Sequence, residues 1–329
     1  MITGLTYDLK ETYLSQGFTH EEVAEFDSDE TISGIEKALR NLGYQTERIG
    51  NIMELTTALV NRKRWDLVFN IAEGLYGNGR EAQVPALLDA FRIPYVFSDP
   101  AVLAVTLHKA MAKHIVRGHG IPTAPFGLVK TESEFNTINL EYPLFIKPLA
   151  EGTGKGISMQ SLVHSPNELK SNGKEILKKF NQPVLVEEYL PGREFTVGIT
   201  GTGKNATLCG TMEVSVKGNG NQQIYSLYNK ENYEEQVGYT VPEATIVEQC
   251  SKVALEAWVA LECRDGGRVD IKMDRNGIAN FIEVNPLAGL HPVHSDLPIL
   301  CRLNGISYTQ LIERIMDSAM KRLDAGLNK

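Results

Sequence analysis

Apolar and polar residues alternate along the chain in two rhythms. Ile32, Ile35, Leu39 and Leu42 fall at helical spacing through residues 31–43, and Gly43 supplies the stop. Trp65-Asp66-Leu67-Val68-Phe69-Asn70-Ile71 reads as a buried strand and runs into a Gly-rich loop from Glu73 to Gly79. Residues 80–92 return to helical spacing, and Ile93–Phe97 reads as strand again. This alternation predicts a parallel α/β unit, which we end near residue 108. A helix through Lys109 and Lys113 follows, closed by Gly118 and Gly120-Ile121-Pro122. Strands are expected at 144–147, 156–159 and 184–187, with a helix over about 166–180 between the last two. The final third is richer in strands, at 194–200, 206–216, 267–273 and 279–284, with helices over about 243–261 and 307–323. Residues 217–240 are polar and rich in Gly, Asn and Tyr, which predicts a long loop of the kind that serves as a lid. No internal repeat is visible.

Composition narrows the classes. The 329 residues are 42% hydrophobic and 22% charged, enough apolar content for two or three cores and too much for a disordered chain. No run reaches the roughly 18 apolar residues of a membrane span. Met1 to Asp8 lacks the basic and apolar regions of a signal peptide, so a cytosolic protein is expected. Lys and Arg number 33 against 41 Asp and Glu, a net charge of −8 with no basic block. Such a field disfavours nucleic acid but allows a local basic pocket for a small phosphate ligand. Cys209, Cys250, Cys263 and Cys301 show no C-x-x-C pairing and are expected as reduced, mostly buried thiols.

The strongest chemical signal is a hairpin. Arg268-Val269-Asp270-Ile271-Lys272-Met273 and Phe281-Ile282-Glu283-Val284-Asn285 each alternate, and Asn276-Gly277 between them is a favoured two-residue turn. With that pair at the centre, Asp270 stands opposite Glu283 and Arg268 opposite Asn285, all on one face. Opposed carboxylates repel, and the arrangement makes sense around a divalent cation such as nucleotide-bound Mg²⁺. A solvated polar face accounts for the hairpin alone equally well.

Three other stretches stand out. A strand ending in Lys147 meets the loop Glu151-Gly152-Thr153-Gly154-Lys155-Gly156, whose backbone N–H groups could cradle phosphate oxygens beside the two lysines. It could equally be an ordinary Gly-rich turn. Gly198-Ile199-Thr200-Gly201-Thr202-Gly203-Lys204-Asn205 nearly matches a P-loop, but Asn205 replaces the final Ser/Thr and a strand follows, so Thr202–Asn205 is read as a hairpin turn. Glu187-Glu188-Tyr189-Leu190, Pro191-Gly192 and Arg193-Glu194 suggest a hinge whose backbone could read an adenine edge and whose acid could hold ribose hydroxyls; surface acids flanking a turn would look the same. In His291-Pro292-Val293-His294 the proline argues against a helical metal pair. No nucleophile elbow occurs.

Taken in order, these pieces resemble the ATP-grasp superfamily and, within it, the D-alanine–D-alanine ligase family. Its carriers are Leu107–Lys113, Phe145–Pro148, Glu151–Gly156, Glu187–Glu194, Gly267–Asp270 and Glu283–Pro286, and the likeness is weaker over the first 60 residues. The resemblance implies an α/β chain with the ATP-grasp fold: a Rossmann-like N-terminal domain over 1–108, and two α+β subdomains, 109–190 and 191–329, that clamp ATP. Lys109, Lys147 and the loop Glu151, Gly152, Thr153, Gly154 and Gly156 would hold phosphates. The backbone near Glu187, Glu188 and Leu190 would read adenine, and Glu194 the ribose. Asp270, Glu283 and Asn285 would bind two Mg²⁺ ions, with Mn²⁺ as an alternative. Arg268 would stabilise the tetrahedral centre and, with Gly289, His294 and Ser295, contact substrate. Lys230 matches the family's lid lysine, and Glu25 is the candidate for its N-terminal acid. The implied activity is ATP-dependent ligation of a carboxylate to an amine through an acyl phosphate, acting on amino acids or amines, in a homodimer. Ligation of other amino acids in a specialised pathway, or nucleotide binding without turnover, are the alternatives. The departures cluster in the substrate half: Thr153-Gly154 stands where Ser-Ser is usual, Glu231 where a Tyr is expected, and His294-Ser295 where Ser and an apolar residue are usual.

Overall fold

A computed structural model describes residues 1–216 and 237–326. The N-terminal sheet has four parallel strands, β1 (Ile2–Thr6), β2 (Gln45–Gly50), β3 (Leu67–Asn70) and β4 (Tyr95–Val96), in the order β2-β1-β3-β4. Its helices are α1 (Lys10–Ser15), α2 (Asp29–Asn41), α3 (Ile52–Val60), α4 (Gln83–Ala90) and α5 (Pro100–Leu107). In α2 the Ser28 side chain caps the Thr31 N–H, and Ile32, Ile35 and Leu39 turn inward as their spacing predicts. Crossovers through helices keep the strands parallel and leave loops at one sheet end, where ligands bind in such folds.

Helix α6 (Lys109–Gly118) leads into a second sheet of β5 (Phe126–Val129), β6 (Leu144–Pro148), β7 (Leu162–Val163) and β8 (Val184–Glu188), antiparallel in the order β5-β8-β6-β7 and backed by α7 (Pro166–Phe180). The third sheet, order β11-β10-β9-β12-β13, is antiparallel and comprises β9 (Glu194–Thr200), β10 (Thr207–Val216), β11 (Val237–Thr240), β12 (Gly266–Met273) and β13 (Ala279–Asn285). Helices α8 (Ala244–Ala260), α9 (Asp296–Leu303) and α10 (Tyr308–Asp324) pack on it. The near-P-loop stretch is the β9–β10 hairpin connection, as its sequence suggested.

Two expected elements differ. Residues 156–159 form no strand: Gly156 takes φ +75°, the Ile157 N–H closes onto the Gly154 carbonyl, and Ser158 caps a short 3-10 turn. The strand that pairs with β6 is Leu162–Val163. The expected loop 217–240 ends in a strand, since residues 237–240 pair with β10; its remaining residues, Lys230 and Glu231 among them, lie outside the described set.

Leu5, Ile32, Ile35, Leu39 and Phe69 share one core with Leu297, Leu311, Ile315 and Met316 from the far end of the chain. The second sheet has a core of its own, built on Val129, Leu144, Ile146, Val163 and Val186. A buried ion pair locks the first and third units: Arg322 Nη2 donates to Asp265 Oδ2 at 2.7 Å and to the Tyr95 carbonyl at 2.8 Å, and Asp265 Oδ2 also accepts the Phe97 N–H. Among the described residues no helix is long and apolar enough to cross a membrane, and all four cysteines are free and buried. Replacing Arg322 by Leu strands the Asp265 charge, which is fully buried, and should cost about 3–5 kcal/mol. A shift of the urea midpoint at unchanged slope measures it.

Candidate active site

Two cavities lie side by side where the three units meet. The smaller, about 110 Å³, sits between the second and third sheets. Period-two alternation builds its walls. On β9, Phe195, Val197 and Ile199 enter the core while Glu194 and Thr196 face the cavity. On β12, Val269, Ile271 and Met273 enter the core while Asp270 and Lys272 face out beside them. Cross-strand register sets Lys272 next to Glu194 and Asp270 between Thr196 and Glu283. Lys147, Gly154, Glu187, Glu188 and Leu190 close the other side. The connection at Pro191-Gly192 is pinned to the third sheet by Gly192 N–H to the Met273 carbonyl, an approach that any Cβ would block at 2.5 Å.

The hairpin pairs are as expected, by a different route. Asp270 opposes Glu283 and Arg268 opposes Asn285. The connection is not a two-residue turn: Met273 pairs with Ala279, and Asp274 Oδ1 accepts from the N–H groups of Asn276 and Ile278 across a longer loop. A bulge between Asp270 and Ile271 on the pairing returns the register. Phe281 and Glu283 are two apart and would share a face on a regular strand. The bulge lets Phe281 enter the core, fully buried, while Ile282 and Glu283 both line the smaller cavity. Asp270 Oδ1 accepts from Thr196 Oγ1 at 2.9 Å, Oδ2 accepts from Asn285 Nδ2 at 3.2 Å, and Arg268 Nε lies 3.4 Å from Oδ1.

Cations answer these acids. Lys272 Nζ donates to Glu194 Oε2 at 2.6 Å, and Lys109 Nζ lies 3.5 Å from Glu283 Oε2 while donating to the Glu151 carbonyl. Glu187 is buried between Lys113 and Lys147, at 2.5 and 2.8 Å. Burial works to raise the Glu187 carboxyl, but the two ammonium groups override it and hold it at about 2. Glu151 closes its own loop, pairing with Lys155 at 2.7 Å and accepting from Gln182 Nε2.

The larger cavity, about 400 Å³, opens beyond Glu283 and Asp296, which border both spaces. It gathers Lys109, Glu151, Gly152, Thr153, Arg268, Glu283, Asn285, Gly289, His294 and Ser295 with Glu25 from the N-terminal unit. Glu25 is held from two sides: Oε2 accepts from Arg80 Nη2 at 2.8 Å, and Oε1 accepts the Gly152 N–H at 2.5 Å. Burial opposes its ionisation, but Arg80 and Lys155 keep the carboxyl below its ordinary value. Arg80 also donates to the Ala150 carbonyl, so the N-terminal unit grips the glycine loop directly. Ser295 Oγ accepts the His291 N–H, and the His291 and His294 rings stack at 3.4 Å between centroids. Of the expected site residues that are described, only Gly156 lines neither cavity; its space is filled by Pro148 and Phe180.

Several cavity residues escaped the sequence reading: Lys10, Asp27, Glu73, Glu81, Lys272 and Asp296. Burial raises the Glu81 carboxyl to about 7, with Arg80 opposing and Glu25 adding to the rise. Glu73 is pushed well above its ordinary value by burial and by Glu81 and Glu25. Among the described residues, no cluster of three or more His, Cys, Asp or Glu is placed to hold a metal by itself.

The family described as D-ala D-ala ligase C-terminus matches residues 115–317, more than half of the chain. An uncharacterised protein of Sinorhizobium fredii, y4sG, is 32% identical over 78% of this chain and 75% of its own length. A D-alanine–D-alanine ligase of Bordetella avium is 28% identical, covering 89% of this chain and 90% of the ligase. Among solved structures, the D-alanine–D-alanine ligase of Bacillus anthracis superposes with a TM-score of 0.75 at 21% identity over 99% of both chains. VanG D-Ala:D-Ser ligase of Enterococcus faecalis gives 0.74 at 20% identity, over 97% of this chain and 99% of its own. Both show the ATP-grasp fold.

Asp27 generates a pH test. Burial raises its carboxyl from 3.8 to about 7, against a hydrogen bond from Thr31 and the charge of Lys10. The folded state therefore binds a proton that the unfolded chain has released between those values. Stability is full below 3.8 and declines as pH rises through 7. Asp27→Asn removes that decline, so its thermal midpoint relative to wild type should be higher at pH 8 than at pH 4. Equal differences at both pH values would exclude a raised Asp27.

Proposed function

The chain belongs to the D-alanine–D-alanine ligase family, and from that membership we propose the roles its residues take in an ATP-dependent ligation of two amino acids. The observation that carries the reading is the register of β12 and β13, which sets Asp270 against Glu283 and Arg268 against Asn285 where both cavities meet. ATP lies in the smaller cavity. Backbone groups at Glu187–Leu190 meet adenine, Glu194 with Lys272 meets the ribose, and Lys147, Lys109 and the Gly152–Gly154 backbone meet the phosphates. The two substrates occupy the larger cavity.

The donor set Asp270, Glu283 and Asn285 is all oxygen and hard, which fits Mg²⁺ better than a soft metal. With two carboxylates and an amide in place, phosphate oxygens are needed to complete the coordination, as in other nucleotide sites. The metal's contribution is neutralisation of phosphate charge. The protein's own residues do the positioning. A substrate carboxylate oxygen bonds to the γ-phosphorus as the bond to the bridging oxygen breaks and ADP leaves. The amine nitrogen of the second substrate then bonds to the acyl carbon, and phosphate departs with the former carboxylate oxygen. Arg268 faces the oxyanion formed in between. No protein nucleophile is required, which agrees with the lack of such a motif.

The units 1–108, 109–190 and 191–329 are our proposed division; each contains one whole sheet. We place the enzyme in the cytosol as a homodimer acting on small molecules, without nucleic acid or membrane partners. For the substrates, Glu73 and Glu81 line the larger cavity, and no hydrogen bond or ion pair to either side chain occurs among the described residues. His294 lines the same space, and Glu231 replaces a tyrosine in the lid sequence. Polar replacements of this kind change preference more than a change of apolar size does. We therefore propose that an amino acid or amine other than D-alanine fills at least one subsite.

Asp270→Asn should lower turnover by about 10²-fold or more, through lost metal and phosphate binding. Without Mg²⁺ its stability should be equal to or above wild type, because the repulsion with Glu283 is relieved. Near wild-type turnover would remove Asp270 from the site. A pairwise amino-acid screen for phosphate release, with mass analysis of products, should find a pair that outperforms D-alanine alone in kcat/KM. D-alanine alone as the best pair would overturn the substrate proposal and leave the ligase reading intact.

A further inference from the structure

Lys113 lies in the middle of α6, is fully buried and lines neither cavity. Its ammonium is 2.5 Å from Glu187 Oε1, and it donates to Thr123 Oγ1 at 2.7 Å and to the Phe281 carbonyl at 3.4 Å. The opposite oxygen, Glu187 Oε2, is 2.8 Å from Lys147 Nζ. Lys147 and Glu187 do line the smaller cavity. One carboxylate between two ammonium groups leaves the buried cluster with one positive charge. Glu187 and Lys147 alone would form a neutral pair, and a neutral pair offers little field to a phosphate.

We propose that Lys113 is a positioning residue for nucleotide binding: by balancing Glu187 from behind, it leaves the charge of Lys147 uncancelled at the cavity wall. Glu187 then serves as a rigid hinge pin that fixes where the Lys147 ammonium points. The inference rests on the smaller cavity being the ATP site. A second contact adds to it. The Phe281 carbonyl that Lys113 reaches also accepts from Thr123 Oγ1 at 2.7 Å, and the Phe281 N–H donates to the Pro122 carbonyl. Phe281 immediately precedes Ile282 and Glu283, so the same ammonium helps hold the bulge that turns Glu283 toward the phosphates. Burial holds the Lys113 ammonium below its ordinary value, with the Glu187 charge opposing that shift and the Lys147 charge adding to it.

The test is calorimetric titration of the full chain with ADP in the presence of Mg²⁺, which needs no turnover. Lys113→Met should weaken ADP binding about 10-fold or more, because Lys147 is then neutralised by Glu187. The double variant Lys113→Met with Glu187→Gln restores one net positive charge and should recover most of that loss. A merely structural role for Lys113 gives the opposite result, with the double variant as weak as the single or weaker. Lys113→Gln keeps a hydrogen-bond donor for Thr123 and Phe281 without the charge and carries the same expectation if the methionine variant does not fold. Cooperative thermal unfolding establishes which variants are folded. Lys113 variants that bind ADP as wild type does, or a folded double variant with no recovery, would overturn the proposal. Wild-type protein that fails to bind ADP removes the nucleotide reading and this inference together.

Discussion

Three carboxylates, Glu194, Asp270 and Glu283, face one cleft from adjacent strands, and their mutual repulsion has to be answered by cations. Lys272 answers Glu194 from within the sheet and Arg268 answers Asp270. Glu283 is answered by Lys109, which sits at the start of α6 and also holds the glycine loop through the Glu151 carbonyl. The acidic face therefore draws α6 and the second sheet against the third. Opposite it, Glu187 and its two lysines present a surplus of positive charge. A cleft with acids on one wall and cations on the other suits a ligand that is itself an anion carrying divalent cations.

The N-terminal unit takes part in the same balance. Arg80 spends two of its donors on Glu25 and the Ala150 carbonyl, and Glu25 accepts the Gly152 N–H. The candidate N-terminal acid, Glu25, is thus also a clasp on the glycine loop. Asp27, Glu73 and Glu81 all line the larger cavity, and burial raises the carboxyls of all three, with Asp8 adding at Asp27, Glu81 and Glu25 adding at Glu73, and Glu25 adding at Glu81. Such a surface favours an ammonium group over a second carboxylate.

Elements whose periodicity is strong are legible in the sequence. Helix α7 and strand β9 match their expected bounds, and α2, α8 and α10 agree to within a residue or two. Strand β2, Gln-Thr-Glu-Arg-Ile-Gly, escaped because it lies at a sheet edge and alternates no apolar face. Residues 156–159 look like a strand but carry a glycine at positive φ, and local turn chemistry wins there. In the site, the residues carried by alternating strands were legible, since parity alone brings Arg268, Asp270, Glu283 and Asn285 together. The bulge was not, although Phe281 and Glu283 at equal parity, one apolar and one acidic, were its signal. Glu73, Glu81 and Lys10 lie on loops or a short helix, where no period aims a side chain. Arg80 beside Glu81 was the available hint, because an arginine in an apolar helix start needs an anion nearby.

The shared core of the first and third units has a consequence for synthesis. Residues such as Leu5, Ile35 and Phe69 are covered by Leu311, Ile315 and Met316, and the Tyr95 carbonyl is capped by Arg322. As the chain leaves the ribosome, the N-terminal sheet must wait for nearly the whole remaining length before its outer face is sealed. The second sheet, with a local core contained within residues 126–188, can close much earlier. Nascent chains would then carry a folded second sheet and an exposed apolar face on the first, and it is that face which would need shelter from aggregation until α10 docks.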